Sequence, residues 1–238
     1  MTTPRTVRIV RILAAGIAVL FGVVTLFAGG RVLLGSDPGY EVFRPLLVYN
    51  TAMGVAYLAA GIAIWRGLGF DVLIYDYGGY GNSTGKPSEK RCYQDIRACW
   101  RWLVEEQGIP PERIVLFGRS LGGAVAADLA ADVTPGAVIL ESTFTSAVSL
   151  GKEAFPFLPV SLLLRHRFDT ASKIARLTAP VLVVHSPDDD VVPYHHGRAL
   201  FERAPEPKTF LEIGGSHNDG YAETGERYVQ SLRSFLDP

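Results

Sequence analysis

Six residues, Gly118-Arg119-Ser120-Leu121-Gly122-Gly123, constrain this chain more than any other stretch. The apolar run IVLF (114–117) leads into them, and GAVAADLA (123–130) leads out. A short continuous apolar run reads as a strand buried on both faces, and an alanine-rich run of that length reads as a packed helix. No residues remain between the two for a loop, so the chain must turn from strand to helix almost at once. Such a turn strains the backbone of Ser120. Gly118 and Gly122 are expected to remove side chains that would collide with the neighbouring strand and helix.

The same alternation continues on both sides. FDVLIYDY (70–77) is β-rich and ends in the turn-forming GGYGNSTGKPSE. A helix is predicted over 90–107, with Cys92, Ile96, Cys99, Trp100 and Leu103 on a helical period. Strands follow at 113–118, 136–142, 179–186 and 208–214, with helices at 121–132, 195–203 and 222–236. Short apolar strands separated by helices predict an α/β fold, with a parallel sheet covered on both faces.

The first third reads differently. Residues 12–30 and 45–65 carry no charge, and each is long enough to cross a hydrocarbon layer of ~30 Å as a helix. A short polar loop with Gly35, Asp37, Pro38 and Gly39 separates them. The expectation is a two-helix transmembrane hairpin over 1–68, followed by a catalytic domain over 69–238. A cleaved signal peptide and a buried helical pair are the competing readings of this region. Arg5, Arg8, Arg11 and Arg66 flank one side of the hairpin, and Arg31 and Arg44 the other. That bias places the catalytic domain in the cytoplasm.

The net charge of −1 implies no nucleic-acid partner. Cys92 and Cys99 lie seven apart on one predicted helix, too far along its axis to bridge, and are expected to be free thiols. No Cys/His cluster has zinc spacing and no phosphate loop is present, so neither metal nor cofactor is expected.

A serine at a strand-to-helix turn is held exposed above the sheet edge. There the N–H of Leu121, at a helix N-terminus, can meet a developing oxyanion. A serine hydroxyl needs a base, and the base needs an orienting carboxylate. The strand ending at 185 leads into SPDDDVVP, which puts Asp188, Asp189 and Asp190 on one loop at the carboxyl edge. The next strand leads into GGSHNDG, which puts His217 there. The order Ser, Asp, His suits this topology. Among the other histidines, His185 reads as a core or supporting residue, His195 and His196 as surface or capping residues, and His166 as solvated.

The stretches DYGGYGNSTGKPSE, GRSLGGAVAADLA, ILESTFTS, PVLVVHSPDDDVVP and GGSHNDG resemble α/β-hydrolases of the membrane-anchored lysophospholipase-like and depalmitoylase-like branch. The resemblance covers about 70% of the chain. It implies that the acid is the aspartate of D-x-[IV]-V-P, here Asp189, with Asp188 and Asp190 shaping the loop. Two departures stand out. Gly78 replaces the arginine usual in the D-Y-R-G-Y-G turn. Such enzymes also begin with three more strands, the third followed by His-Gly-Asn-type residues that donate the second oxyanion N–H. That motif is missing here, and the hairpin stands in its place. The sequence thus reads as a truncated α/β-hydrolase sheet, either a natural fusion or a truncation. Strand 70–77 is expected to pair directly with 113–118, giving about five parallel strands.

Two functions follow as expectations. One is a membrane-tethered serine hydrolase that cleaves small-molecule or acylated-protein esters or thioesters through an acyl-enzyme. Segment 143–178 would be its lid, with FPFLPVSLLL either lining an acyl pocket or simply packing on the core. The alternative is a catalytically impaired remnant or a membrane-tethered binding protein that lacks half of its oxyanion hole.

Overall fold

The computed structural model describes residues 71–81 and 83–236. The two charge-free runs and the boundary expected near residue 68 lie outside the described residues. Among those described, no helix is long and apolar enough to cross a membrane.

Four strands form one parallel sheet in sequential order: β1 (Val115–Arg119), β2 (Ala137–Glu141), β3 (Val181–His185) and β4 (Lys208–Glu212). Every residue of β2 and β3 is buried. These are the continuous apolar runs AVIL and VLVV, which suit a central parallel strand with both faces covered. On one face Val138, Leu140, Val181 and Val183 pack with Ile96, Val125, Leu129, Ile174 and Leu200. Ile139, Leu182 and Val184 face the other way and pack with Ile213, Tyr228 and the partly buried Leu232 and Phe235. The alternation within each strand therefore builds two separate cores.

The helices begin where their sequences supply caps. The first, α1 (Glu89–Arg101), starts at Ser88, whose Oγ accepts the Arg91 N–H at 3.1 Å, and winding continues through Trp102–Glu106. Ser and Asp side chains at such positions satisfy amide groups that the helix itself leaves bare. Next comes α2 (Leu121–Ala130), of which Gly123–Ala130 are all buried. Its buried Asp128 is paired with Arg97 at 2.6 Å and Lys173 at 2.7 Å. Between β2 and β3 lie α3 (Ala147–Ala154), capped by Ser146, α4 (Val160–Leu163), and α5 (Thr170–Ile174), capped by Asp169. After β3 comes α6 (Tyr194–Arg203). The expected final helix is two, α7 (Gly220–Thr224) and α8 (Glu226–Leu236), because Gly225 breaks it with a left-handed φ of 60°.

The expected fifth strand is not formed. Residues 71–77 carry no strand, and the sheet of the described residues has four members. Strand propensity alone does not bring a neighbouring strand alongside a segment, and Val72 and Leu73 stay exposed. Gly78, the departure from the arginine-bearing turn, is covered by a different arginine. A Cβ there would lie 2.4 Å from Arg91 Nε, and Asp95 takes both Arg91 Nε and the Gly78 N–H at 2.7 Å. Cys92 and Cys99 are free.

Candidate active site

Parallel strands deliver their carboxyl ends to one edge. Ser120 follows β1 there, Ser142–Thr145 follow β2, the three aspartates follow β3, and His217 follows β4.

Ser120 sits at φ 52° and ψ −121°, which is strained for a residue with a side chain. Such conformations cost about 1–3 kcal/mol and persist only where surroundings over-determine them. Here the Ser120 N–H donates to the Glu141 carbonyl at 2.9 Å. The Ser120 carbonyl accepts from Gly123 N–H at 3.0 Å and from Thr143 Oγ1 at 2.6 Å. A Cβ on Gly118 would lie 2.3 Å from the Gly122 carbonyl oxygen, and one on Gly123 2.6 Å from Thr143. The crowded glycines are therefore 118 and 123. A Cβ on Gly122 would meet nothing nearer than the Tyr77 hydroxyl, at 3.7 Å. Leu121 is the first residue of α2, so its N–H has no intrahelical acceptor.

Asp189 and His217 are brought together. Both are buried, and His217 Nδ1 lies 2.9 Å from each Asp189 carboxylate oxygen. Asp189 Oδ1 also accepts the N–H groups of Val191 at 3.0 Å and Val192 at 2.7 Å. Burial alone would push the Asp189 pKa up. The His217 hydrogen bond and the two amides overcome it and hold the carboxyl below its ordinary value. Asp190 does a different job, with its Oδ1 accepting the backbone N–H of His217 at 3.0 Å. The Asp188 side chain engages neither atom of the pair. Among the described residues, Ser120 Oγ makes no hydrogen bond to His217. Such contacts are often long in enzymes without substrate and tighten in the reacting complex.

Of the other histidines, His185 is fully buried and donates Nε2–H to the Val192 carbonyl at 2.8 Å, and burial pushes its pKa down. It packs under the acid loop and holds its carboxyl-side turn. His166 lies near α1, its Nδ1 accepting the Glu89 N–H at 3.4 Å. His195 is exposed, but His196 is buried, contrary to its reading as a surface or capping residue. The helix they open is preceded by Pro193, which offers no side-chain cap.

Three further residues join the two halves of the edge. Arg119 Nε lies 3.2 Å from Glu141 Oε1, while its Nη2 donates to the His217 carbonyl and to Asn218 Oδ1 at 3.2 Å. Glu141 is fully buried and also accepts from Tyr228 Oη. Burial raises the Glu141 pKa, against the opposing pull of Tyr228 and Arg119. The one available signal was a charged residue inside each of two otherwise apolar motifs, Arg in GRSLGG and Glu in ILEST.

Between β2 and β3, Phe155, Phe157, Leu158, Leu162 and Leu163 stand exposed, Phe157 at 98%. Two concavities run along α1 near Tyr93, Gln94 and Arg97, and neither includes Ser120, Asp189 or His217.

Residues 57–209 match the model of the prolyl oligopeptidase family. The chain is 39% identical over 193 residues to an uncharacterised protein of Mycobacterium tuberculosis, covering 80% of this chain and 69% of that protein. It is 40% identical over 167 residues to human alpha/beta hydrolase domain-containing protein 17B, covering 70% of this chain and 56% of that protein. In fold it is similar to an esterase of Pyrococcus furiosus, with a TM-score of 0.59 at 18% identity, covering 75% and 72% of the two chains.

Proposed function

The chain belongs to the prolyl oligopeptidase family, within the α/β-hydrolase superfamily, and from that premise we propose that it is a serine hydrolase of carboxylic esters or thioesters. The observation that carries this is the Asp189–His217 pair on the same sheet edge as the strained Ser120.

With Asp189 accepting from Nδ1–H, His217 keeps its lone pair on Nε2, the tautomer a general base requires. Ser120 Oγ attacks the carbonyl carbon as its proton passes to His217 Nε2. The tetrahedral oxyanion accepts from the Leu121 N–H. Collapse breaks the bond to the alcohol or thiol, which leaves with the proton from His217. Water, deprotonated by His217, then attacks the acyl-Ser120 ester, and the carboxylic acid departs as Ser120 recovers its proton. A neutral ester needs no other charged group at the reacting centre, and a small-molecule or acylated-protein ester fits equally. One identified oxyanion donor supports modest turnover, since losing a donor typically costs about 10²–10³ in kcat.

The charge-free runs 12–30 and 45–65 support a membrane tether, and the four arginines on one side of them against two on the other support a cytoplasmic hydrolase domain. Retention in the membrane pellet at alkaline pH tests the tether.

Matched ester, thioester and anilide substrates with one common acyl group test the activity. We expect ester and thioester hydrolysis with a burst of leaving group equal to the enzyme present. Anilide cleavage alone would point to a peptidase. Complete inertness of the folded chain would favour an impaired remnant that binds and does not turn over.

A further inference from the structure

The segment between β2 and β3 turns its least polar stretch outward. Residues 154–164, AFPFLPVSLLL, carry no charge and a single hydroxyl. Of these only Val160 is buried, and it lies against Gly151, where a Cβ would stand 2.8 Å from Val160 Cγ1. That contact fastens α4 to α3 and leaves the other side chains facing out. Phe155 is 60% exposed, Leu162 85% and Phe157 98%. Most of the run therefore does not pack on the core. Exposed apolar groups gathered in one place, rimmed by polar residues, mark an interaction surface.

The backbone of the run is closed on itself. The N–H groups of Phe155, Leu158, Val160, Leu162, Leu163 and Leu164 donate to carbonyls within 151–160, at 2.8–3.2 Å. Pro156 and Pro159 have no N–H to donate. These amides need no water, the condition that backbone entering an apolar layer has to meet.

Charge surrounds the run and is of one sign. Lys152 precedes it, and Arg165, His166 and Arg167 follow it, all exposed. The nearby acids are turned elsewhere. Glu153 is engaged by His195 and His196, at 3.2 and 3.3 Å. Glu89 accepts the backbone N–H groups of Arg167 and Phe168, at 2.7 and 2.9 Å, and Asp169 caps α5. Bases at the root of an apolar tip can lay their stems over it and keep their charges among anionic headgroups.

We propose that this tip, with Phe157 and Leu162 outermost, docks into the surface of an anionic lipid bilayer, with Lys152, Arg165 and Arg167 at the headgroups. A second copy of the chain is a poorer occupant. Bases flank the run at both ends, so a two-fold contact would set bases against bases. The tether proposed above supplies the nearness of a bilayer, and the docking rests on that reading. The segment leaves β2 at the edge that carries Ser120, so docking turns that edge toward the lipid.

Fluorescence quenching in the full 238-residue chain, reconstituted in lipid nanodiscs, tests the proposal. The dye NBD is placed at Phe157→Cys or Leu162→Cys in a Cys99→Ala background. Glu202→Cys, near the end of α6 and ahead of the amino end of β4, is the control. The background without an added cysteine gives the blank for buried Cys92. All three labelled positions are exposed, and circular dichroism checks folding. In phosphatidylcholine discs containing phosphatidylserine, we expect blue-shifted emission at 157 and 162, quenched by doxyl groups about 5–10 Å below the headgroups. The 202 label should stay unquenched. Arg165→Gln should lower the docked-to-free ratio about fivefold in these discs and leave it unchanged in pure phosphatidylcholine. Solvent-like emission at 157 would overturn the proposal. So would a blue shift without doxyl quenching, which would mean that protein, from this chain or a second copy, covers the tip. Equal quenching at 157 and 202, or docking indifferent to phosphatidylserine, would overturn it as well. Alkaline extraction reads the tether and quenching at 157 reads the tip, so the two readings fail separately.

Discussion

The two halves of the candidate site are held by different means. Asp189 and His217 are fixed side chain to side chain, in a buried pair backed by the Val191 and Val192 amides. Ser120 is fixed through its backbone, by three hydrogen bonds around a strained turn, while its hydroxyl is left without a protein partner among the described residues. The acid–base half should therefore be sensitive to side-chain chemistry and tolerant of small backbone change. The nucleophile half should be the reverse, with the single exception of the hydroxyl itself.

The largest effect expected is the loss of nearly all turnover in Ser120→Ala and in His217→Ala, by about 10⁴–10⁶ in kcat, measured by ester hydrolysis. Ser120→Ala should leave the urea midpoint nearly unchanged, whereas His217→Ala, which strips the buried Asp189 carboxylate of its partner, should lower it. The double mutant should be no worse than either single one, since the two act as a unit.

Asp189→Asn comes next. It keeps the shape of the pair but favours the wrong imidazole tautomer, and kcat should fall by about 10⁴. Asp190→Asn keeps an acceptor oxygen for the His217 backbone N–H, loses only the charge, and should cost no more than about tenfold. Equal losses in the two would erase the distinction between the neighbouring aspartates.

The nucleophile half is tested by glycines. Gly118→Ala forces a Cβ against the backbone of Gly122 and should destabilise the fold by about 3 kcal/mol or more in urea unfolding. Gly122→Ala, in the first turn of α2, meets only the Tyr77 hydroxyl at ordinary contact distance and should be neutral or stabilising by up to about 1 kcal/mol.

The smallest effect concerns the support beneath the acid. Burial lowers the His185 pKa, so below about pH 6.5 the unfolded chain takes up a proton that the fold refuses. That histidine should subtract about 1.4 kcal/mol of stability per pH unit as pH falls, until its folded-state pKa is reached. His185→Gln should be less stable at pH 7 but show a shallower decline towards pH 5.5 in urea titrations.

Much of this edge was legible in advance. GRSLGG, SPDDDVVP and GGSHNDG each sit at the end of an apolar run, so their strands carry them to one edge whatever the details of packing. Contacts made across the sheet were not legible. Arg119, Glu141 and Tyr228 meet although Glu141 and Tyr228 are 87 residues apart, and no local pattern marks them as partners. The G-x-S-x-G pattern points to Gly122 for the close contact, whereas Gly123 packs on Thr143, because which helical face meets β2 is set by tertiary packing. FDVLIYDY failed for a related reason: strand propensity does not supply a neighbouring strand. The burial of His196 has no local signal, because burial of a helix's first turn depends on what packs over it, here Thr145 and Glu153.

A serine hydrolase requires Ser120 to be an activated nucleophile. Labelling the full chain with a fluorophosphonate probe, with the modified residue located by peptide mass spectrometry, measures this without knowledge of the substrate. We predict stoichiometric modification of Ser120, abolished in Ser120→Ala and slowed at least about a hundredfold in His217→Ala. A folded wild-type chain that remains unlabelled, or one labelled elsewhere and equally in Ser120→Ala, would contradict it.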